Sequence, residues 1–286
     1  MRLRMAPLVA AALLVSACGG SPQPDEAPTV DSTVEATPEV AAAEVESVPD
    51  DGDMVVTYEE ATSPEALNGK RIMQDAGVLE DLAQSVNESF NLPYDIPLLG
   101  AECGVANAFW SPSDQSMTIC YEDADLAEQI FIQAGDPDPA ASAINTEVAT
   151  FYHELGHMVI DLYDLPVTGR EEDVADQLSA YVMLQEDEDG NIDPDSIQVV
   201  RDFAREFQGY AQMGGDVGDS QFADVHSLNQ TRMYNLLCWV YGADSEGSAD
   251  MVDNGELPAD RADGCEDEYA KMQYAWASLL EPYLKG

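Results

Sequence analysis

The sequence predicts an α+β fold. Short β-prone runs gather in the first half of the globular part, apolar residues at helical spacing dominate the second, and the strict strand–helix alternation of a doubly wound sheet is missing. Ahead of the globular part, Arg2 and Arg4 precede an apolar stretch, Leu8 to Val15, too short to span a bilayer, so residues 1–17 carry the pattern of an export signal. Residues 18–53 are rich in Pro, Glu, Asp, Thr, Val and Ala without an aromatic, a composition that cannot offset its ordering entropy by burial and reads as an extended tether. The globular domain is expected over 54–286. Met54 to Tyr58 is its first strand. Pro64 to Phe90 then places Leu67, Ile72, Met73, Leu79, Leu82 and Val86 near helical spacing, one or two helices with Gly77 as a break. Val105 to Trp110 and Met117 to Tyr121 flank a polar turn and predict a hairpin. Asp138 before Pro139 starts a helix that continues, with a restart near Asn145 as an option, to Asp164, where Pro166 and Gly169 stop it. Further helices are expected over 171–185, 194–210 with Asp193 as cap, and 226–241.

Eleven Lys and Arg against 56 Asp and Glu give a net charge of −45, which repels phosphate backbones and anionic bilayers and excludes nucleic acid as a partner. The acidity is spread along the chain, as in a solvated surface; a preference for basic substrates is the other reading. Val15-Ser16-Ala17-Cys18 resembles the lipobox of bacterial lipoproteins. That resemblance implies cleavage after Ala17, acylation of Cys18, a stable lipid anchor and a place in the exported cell envelope, with Gly19 favouring the outer membrane or periplasmic face. Setting Cys18 aside leaves Cys103, Cys120, Cys238 and Cys265, enough for two disulfides. Proximity favours Cys103 with Cys120 and Cys238 with Cys265, and two other pairings stay open. No C-x-x-C pair supports a cysteine metal site.

The main motif is His153-Glu154-Leu155-Gly156-His157. On a helix, H-E-x-x-H sets two imidazoles on one face within reach of one zinc ion, with the intervening glutamate placed to take a proton from water acidified by that ion. Ile144, Val148, Phe151, Leu155, Val159 and Leu162 mark the apolar face of the same helix, while His153, His157 and Asp161 run along another. A peptidase zinc needs a third protein ligand and a free position. The next helix opens Gly169-Arg170-Glu171-Glu172-Asp173-Val174-Ala175-Asp176, whose Glu172-x-x-x-Asp176 resembles the motif of gluzincin metallopeptidases. The resemblance implies a zincin-like fold, Glu172 as the third ligand and Asp176 as the residue orienting a histidine ligand; Glu171, Asp173 and Asp176 are the alternative ligands. The metzincin pattern is excluded, because Ile160 and Tyr163 stand where its glycine and third histidine belong.

Asn107-Ala108-Phe109-Trp110 resembles the edge strand of thermolysin-like peptidases, which implies that Asn107 contacts the backbone of an extended substrate. The same likeness makes His226 a candidate for oxyanion stabilisation, with Arg232 as a second one and a capping or surface role as the bland reading of His226. Residues 100–241 also resemble an uncharacterised bacterial family of metallopeptidases that combines a cysteine-bearing hairpin, H-E-L-G-H, G-R-E-E-D and a C-W-x-Y-G segment, here Cys238-Trp239-Val240-Tyr241-Gly242. Asp187, Asp189, Asn191 and Asp193 around Gly190 read as an acidic turn rather than a calcium loop, and Tyr152, Tyr163 and Tyr181 as packing residues. The expected activity is hydrolysis of peptide or protein by a zinc-dependent enzyme, with no nucleotide or redox cofactor. Its rivals are a catalytically idle zinc-bearing binding module, a zinc hydrolase of a non-peptide amide, and a structural lipoprotein without metal.

Overall fold

The structure is a computed structural model and describes residues 48–187, 189–215 and 217–285. The export signal, Cys18 and most of the tether lie outside the described residues. The folded body takes in residues just ahead of Met54: Asp51 and Gly52 donate to the Leu92 carbonyl at 2.8 and 3.0 Å, and Asp50 pairs with Lys285 at 2.8 Å.

The strands are β1 (Met54–Tyr58), β2 (Ile96–Ala101), β3 (Ala108–Ser111) and β4 (Ser116–Cys120), in the sheet order β1-β2-β4-β3. β1, β2 and β4 are parallel, with Met54 opposite Ile96 and Leu98 opposite Met117; β3 returns antiparallel along β4, with Ala108 opposite Ile119. The hairpin strand β3 is therefore an edge with one side unpaired. β2 was not expected. Its Pro97 and Gly100 speak against a strand by composition, but Pro97 stands just before the pairing with β4 begins at Leu98.

The first-half helices are α1 (Pro64–Ala76), α2 (Val78–Ser89) and α3 (Tyr121–Ala134). Gly77 at φ 64° makes the break between α1 and α2, a conformation that glycine adopts at no steric cost. α3 was also not expected, because Cys120 is at once the last residue of β4 and the cap of the helix, leaving no turn residue to announce it. The long helix α4 (Pro139–Leu162) is continuous through Asn145, so no restart occurs, and Asp138 caps it by accepting from the Ala141 N–H at 3.3 Å.

After it come α5 (Glu171–Met183), α6 (Pro194–Met213), the short α7 (Asp219–Phe222), α8 (Asn229–Ala243), the short α9 (Ala249–Asp253) and α10 (Ala259–Ala262), and α11 (Cys265–Leu280). The helix expected from His226 begins only at Asn229. α11 buries Cys265, Tyr269, Met272, Trp276 and Leu280, one stripe at helical spacing. α4 packs against α3, α5 and α6 and passes behind β3, so the H-E-x-x-H segment is buried between helices on one side and faces the sheet edge on the other. Cys103 is bonded to Cys120 and Cys238 to Cys265. Two disulfides mark a chain that folds outside a reducing cytosol. Among the described residues no helix is long and apolar enough to cross a membrane.

The remaining motifs resolve into structure. Asp187 accepts from the backbone N–H of Asp189 and Asn191, and Asp193 caps α6, which is the acidic turn. Tyr152, Tyr163 and Tyr181 are core residues.

Candidate metal centre

His153, Glu154 and His157 come from the middle of α4, and Glu171, Glu172, Asp173 and Asp176 from the start of α5. Three carboxylates in the first turn of α5 complement the positive end of its dipole, so the helix start tolerates a concentration of negative charge. What brings the two helices together is small residues. A Cβ built on Gly156 would lie 2.8 Å from the Ala175 Cα, so the backbones cross closer there than any side chain on Gly156 allows. We expect Gly156→Ala to push α5 away, costing about 1–3 kcal/mol and carrying Glu172 off the histidine rings. Thermal melting and metal content measured together check this; unchanged values in both would show that the crossing does not set the position of Glu172.

The Nε2 atoms of His153 and His157 face each other at 3.2 Å. Glu172 Oε2 stands 3.3 Å from the first and 3.4 Å from the second. The outer nitrogens are both engaged: His153 Nδ1 with Asp176 Oδ1 at 2.9 Å and His157 Nδ1 with Glu171 Oε1 at 2.8 Å. A carboxylate accepts only, so each Nδ1 carries the proton, and a neutral ring then turns a lone pair inward at Nε2. Two lone pairs and a carboxylate oxygen converge on one point.

Such an arrangement requires positive charge. If protons supply it, both histidines must titrate high. Burial opposes this, but Asp176 and then Glu172 raise His153, and Glu172 and Glu171 lift His157 to about 9. Glu172 is held well below the carboxylate range, because the three histidines around it outweigh its burial. Protons are nonetheless a poor fit, since two Nε2–H groups cannot both occupy the 3.2 Å gap between the rings. Glu172 Oε2, buried, has no aligned hydrogen-bond donor. A single ion fits better. Donors held at 2.0–2.1 Å in a tetrahedron are about 3.3 Å apart, and the three separations here are 3.2, 3.3 and 3.4 Å. Among the described residues this is the one group of His, Cys, Asp and Glu side chains whose ligand atoms converge in this way.

The alternatives for the third position separate by reach. Glu171 and Asp176 contact the outer nitrogens, and Glu172 touches both inner ones. Asp173 Oδ1 is buried without a hydrogen-bond partner. Asp176 is 2 % exposed and is gripped by Arg232, whose Nε and Nη2 donate at 2.7 and 2.6 Å. Burial would raise the Asp176 carboxyl, but Arg232 and His153 bring it down to about 2. Arg232, the second candidate for steadying an oxyanion, spends Nε and Nη2 on Asp176, sets its guanidinium 3.9 Å from the centre of the Phe207 ring and lines the same cleft as His226.

Glu154 Oε2 accepts the backbone N–H of Trp110 at 2.8 Å, and its Oε1 lies 4.0 Å from His153 Nε2. Trp110 also donates from its indole to Asp161 at 3.0 Å, fastening the edge strand to α4. Asn107 sits one residue before β3 on the rim of the cleft, but its carbonyl accepts the Cys120 N–H at 3.0 Å and so points into the sheet. Contact between Asn107 and a ligand must therefore come from its side chain, while the outward backbone edge of β3 belongs to Ala108 and Trp110, of which the Trp110 N–H is already bonded to Glu154.

His226 lies on the segment between α7 and α8, half exposed, with Nε2 3.1 Å from Glu172 Oε2 and Nδ1 2.9 Å from Asp224 Oδ1. Arg170 holds this segment by donating to the carbonyls of Asp224 and His226 at 3.3 and 3.2 Å. The Trp110 and Arg170 contacts have no sequence signal, because they depend on backbone groups rather than on motif letters. A cleft of about 880 Å³ runs along β3, over the histidines and on to the rings of Phe203, Phe207 and Tyr210.

Comparison with curated proteins and with solved structures returns no match. A family model described as "Putative metallopeptidase" matches residues 58–280, from the end of β1 to the end of α11 and thus nearly the whole described body. The chain belongs to this metallopeptidase family.

Proposed function

We propose that the chain is a zinc-dependent peptidase of the cell envelope, lipid-anchored through Cys18, with His153, His157 and Glu172 holding the metal. The observation that carries this reading is the convergence of three acceptor atoms at 3.2, 3.3 and 3.4 Å on one point in an open cleft. Two nitrogens and one carboxylate oxygen are the donor set of a catalytic zinc, which keeps a fourth position open. When bound, zinc acidifies water toward neutral pH and polarises a carbonyl.

The chain's own groups do the rest. Asp176 and Glu171 each fix a histidine in the tautomer that turns Nε2 inward. The Trp110 N–H holds one oxygen of Glu154, leaving the other directed to the site, where it takes a proton from the attacking water and passes it to the leaving amine. The free edge of β3, with the Asn107 side chain at its start, holds an extended peptide by strand addition. His226, oriented by Asp224, steadies charge on the carbonyl oxygen.

Metal content of the purified protein tests the proposal. One equivalent of zinc is expected, lost in Glu172→Ala and kept in Asp173→Ala, together with cleavage of a mixed peptide library by the wild type. A wild type that takes up no zinc after reconstitution sinks the reading.

A further inference from the structure

We infer that the inner end of the cleft is a subsite for a lysine or arginine side chain of the substrate, with Asp123 and Glu206 as its anionic walls and Glu147 behind them. This rests on the peptidase reading and names its substrate class. Asp123 comes from α3, Glu147 from α4 and Glu206 from α6, and they are 7, 1 and 2 % exposed. Asp123 and Glu206 line the same cleft as Glu154, together with Phe203, Phe207 and Tyr210. Neither oxygen of Glu147 has a hydrogen-bond partner among the described residues.

Three buried carboxylates need either protons or a cation, because an unpaired charge away from water is costly. Among the described residues no Lys or Arg forms an ion pair with any of the three. Arg232, whose charge acts on Glu206 from a distance, is bound to Asp176, and Arg205 on the same helix as Glu206 to Asp136 and Asp202 at 2.5 and 2.6 Å. The cluster supplies one hydroxyl instead, from Tyr210 to Glu206 at 3.1 Å. Burial and the neighbouring Glu154 raise the Asp123 carboxyl to about 6, while burial and Asp123 push Glu147 and Glu206 well above the carboxylate range.

A metal ion is the wrong guest. Among the described residues the His153, His157 and Glu172 group is where ligand atoms converge as a metal requires, and these three carboxylates form no such group. An organic cation suits the lining, two carboxylates beside three aromatic rings. A guanidinium or ammonium bridges carboxylates several ångströms apart, and its methylene stem would lie along the phenyl and phenol rings that share the space.

The test uses peptide pairs differing only in arginine or citrulline at the positions flanking the cleaved bond, since citrulline keeps the shape and removes the charge. We expect kcat/KM at least about tenfold higher for arginine, falling below about threefold in Glu206→Gln and in Asp123→Asn. The ratio cancels any loss common to both peptides, including one transmitted to Glu154, and thermal melting checks that each variant is folded. If the variants do not fold, competition by argininamide against the wild-type reaction, compared with norleucinamide, decides instead. Equal cleavage of both peptides overturns the subsite while leaving the peptidase standing. If no peptide is cleaved, the peptidase reading fails separately, and calorimetric binding of argininamide still decides the pocket: no preference over norleucinamide overturns it.

Discussion

Glu154→Gln is expected to lower kcat/KM for a peptide by about 10²- to 10⁴-fold, the usual contribution of a positioned general base. That corresponds to about 3–5 kcal/mol of transition-state stabilisation. Glutamine keeps the shape of the side chain, and its amide oxygen can still accept the Trp110 N–H now bonded at 2.8 Å. It cannot take a proton. Because the side chain is 6 % exposed and tied to the edge strand, the substitution removes the base without opening the site. The drop should therefore appear in kcat with KM nearly unchanged, and zinc content and melting temperature should match the wild type. Steady-state kinetics on one defined peptide, with metal analysis of the same samples, checks each part. A variant retaining more than about a tenth of the activity would remove Glu154 from the proton path.

The residues of that site differ in how far the sequence reveals them. His153, Glu154 and His157 are legible because the helical period alone puts the histidines on one face. Glu172 and Asp176 are four apart on α5 and share a face in the same way, so their motif can be read as soon as a helix is assigned there. Sorting Glu171 from Glu172 is another matter. They are adjacent in a run of three acids, and which reaches the inner nitrogens depends on how closely α5 crosses α4, set by the backbone contact between Gly156 and Ala175. The carboxylates of Asp123, Glu147 and Glu206 illustrate the limit. They lie on three helices, one of them unexpected, and only tertiary packing collects them. Burial of an acidic residue has no local signature in a chain with 56 of them. The broad class was readable for the opposite reason: hairpin and helix patterns are local, and the disulfides join cysteines only 17 and 27 residues apart.

Arg232→Ala should cost about 3–5 kcal/mol of stability, more than any other single truncation of a polar side chain at the site. Arg232 is 8 % exposed and Asp176 2 %, so the pair sits beyond the screening that makes surface ion pairs weak. Removing the guanidinium leaves the carboxylate buried with one hydrogen bond, from His153 at 2.9 Å, and strips the Phe207 ring of its cation. Combining Arg232→Ala with Asp176→Asn removes the stranded charge. The double variant is therefore expected to be more stable than Arg232→Ala alone, a coupling of about 1–3 kcal/mol in a double-mutant cycle. Urea denaturation with a chelator present keeps metal binding out of the comparison. Metal affinity supplies an independent reading, because Asp176 orients His153 in the proposed site. Asp176→Asn alone should weaken zinc by about 10- to 100-fold, the usual effect of losing a carboxylate behind a ligand histidine. Stability and affinity would then respond to different atoms of one contact: stability to the charge that Arg232 neutralises, affinity to the oxygen that His153 Nδ1 meets. If Arg232→Ala costs less than about 1 kcal/mol, Asp176 does not carry a buried charge and its hold on His153 needs another explanation.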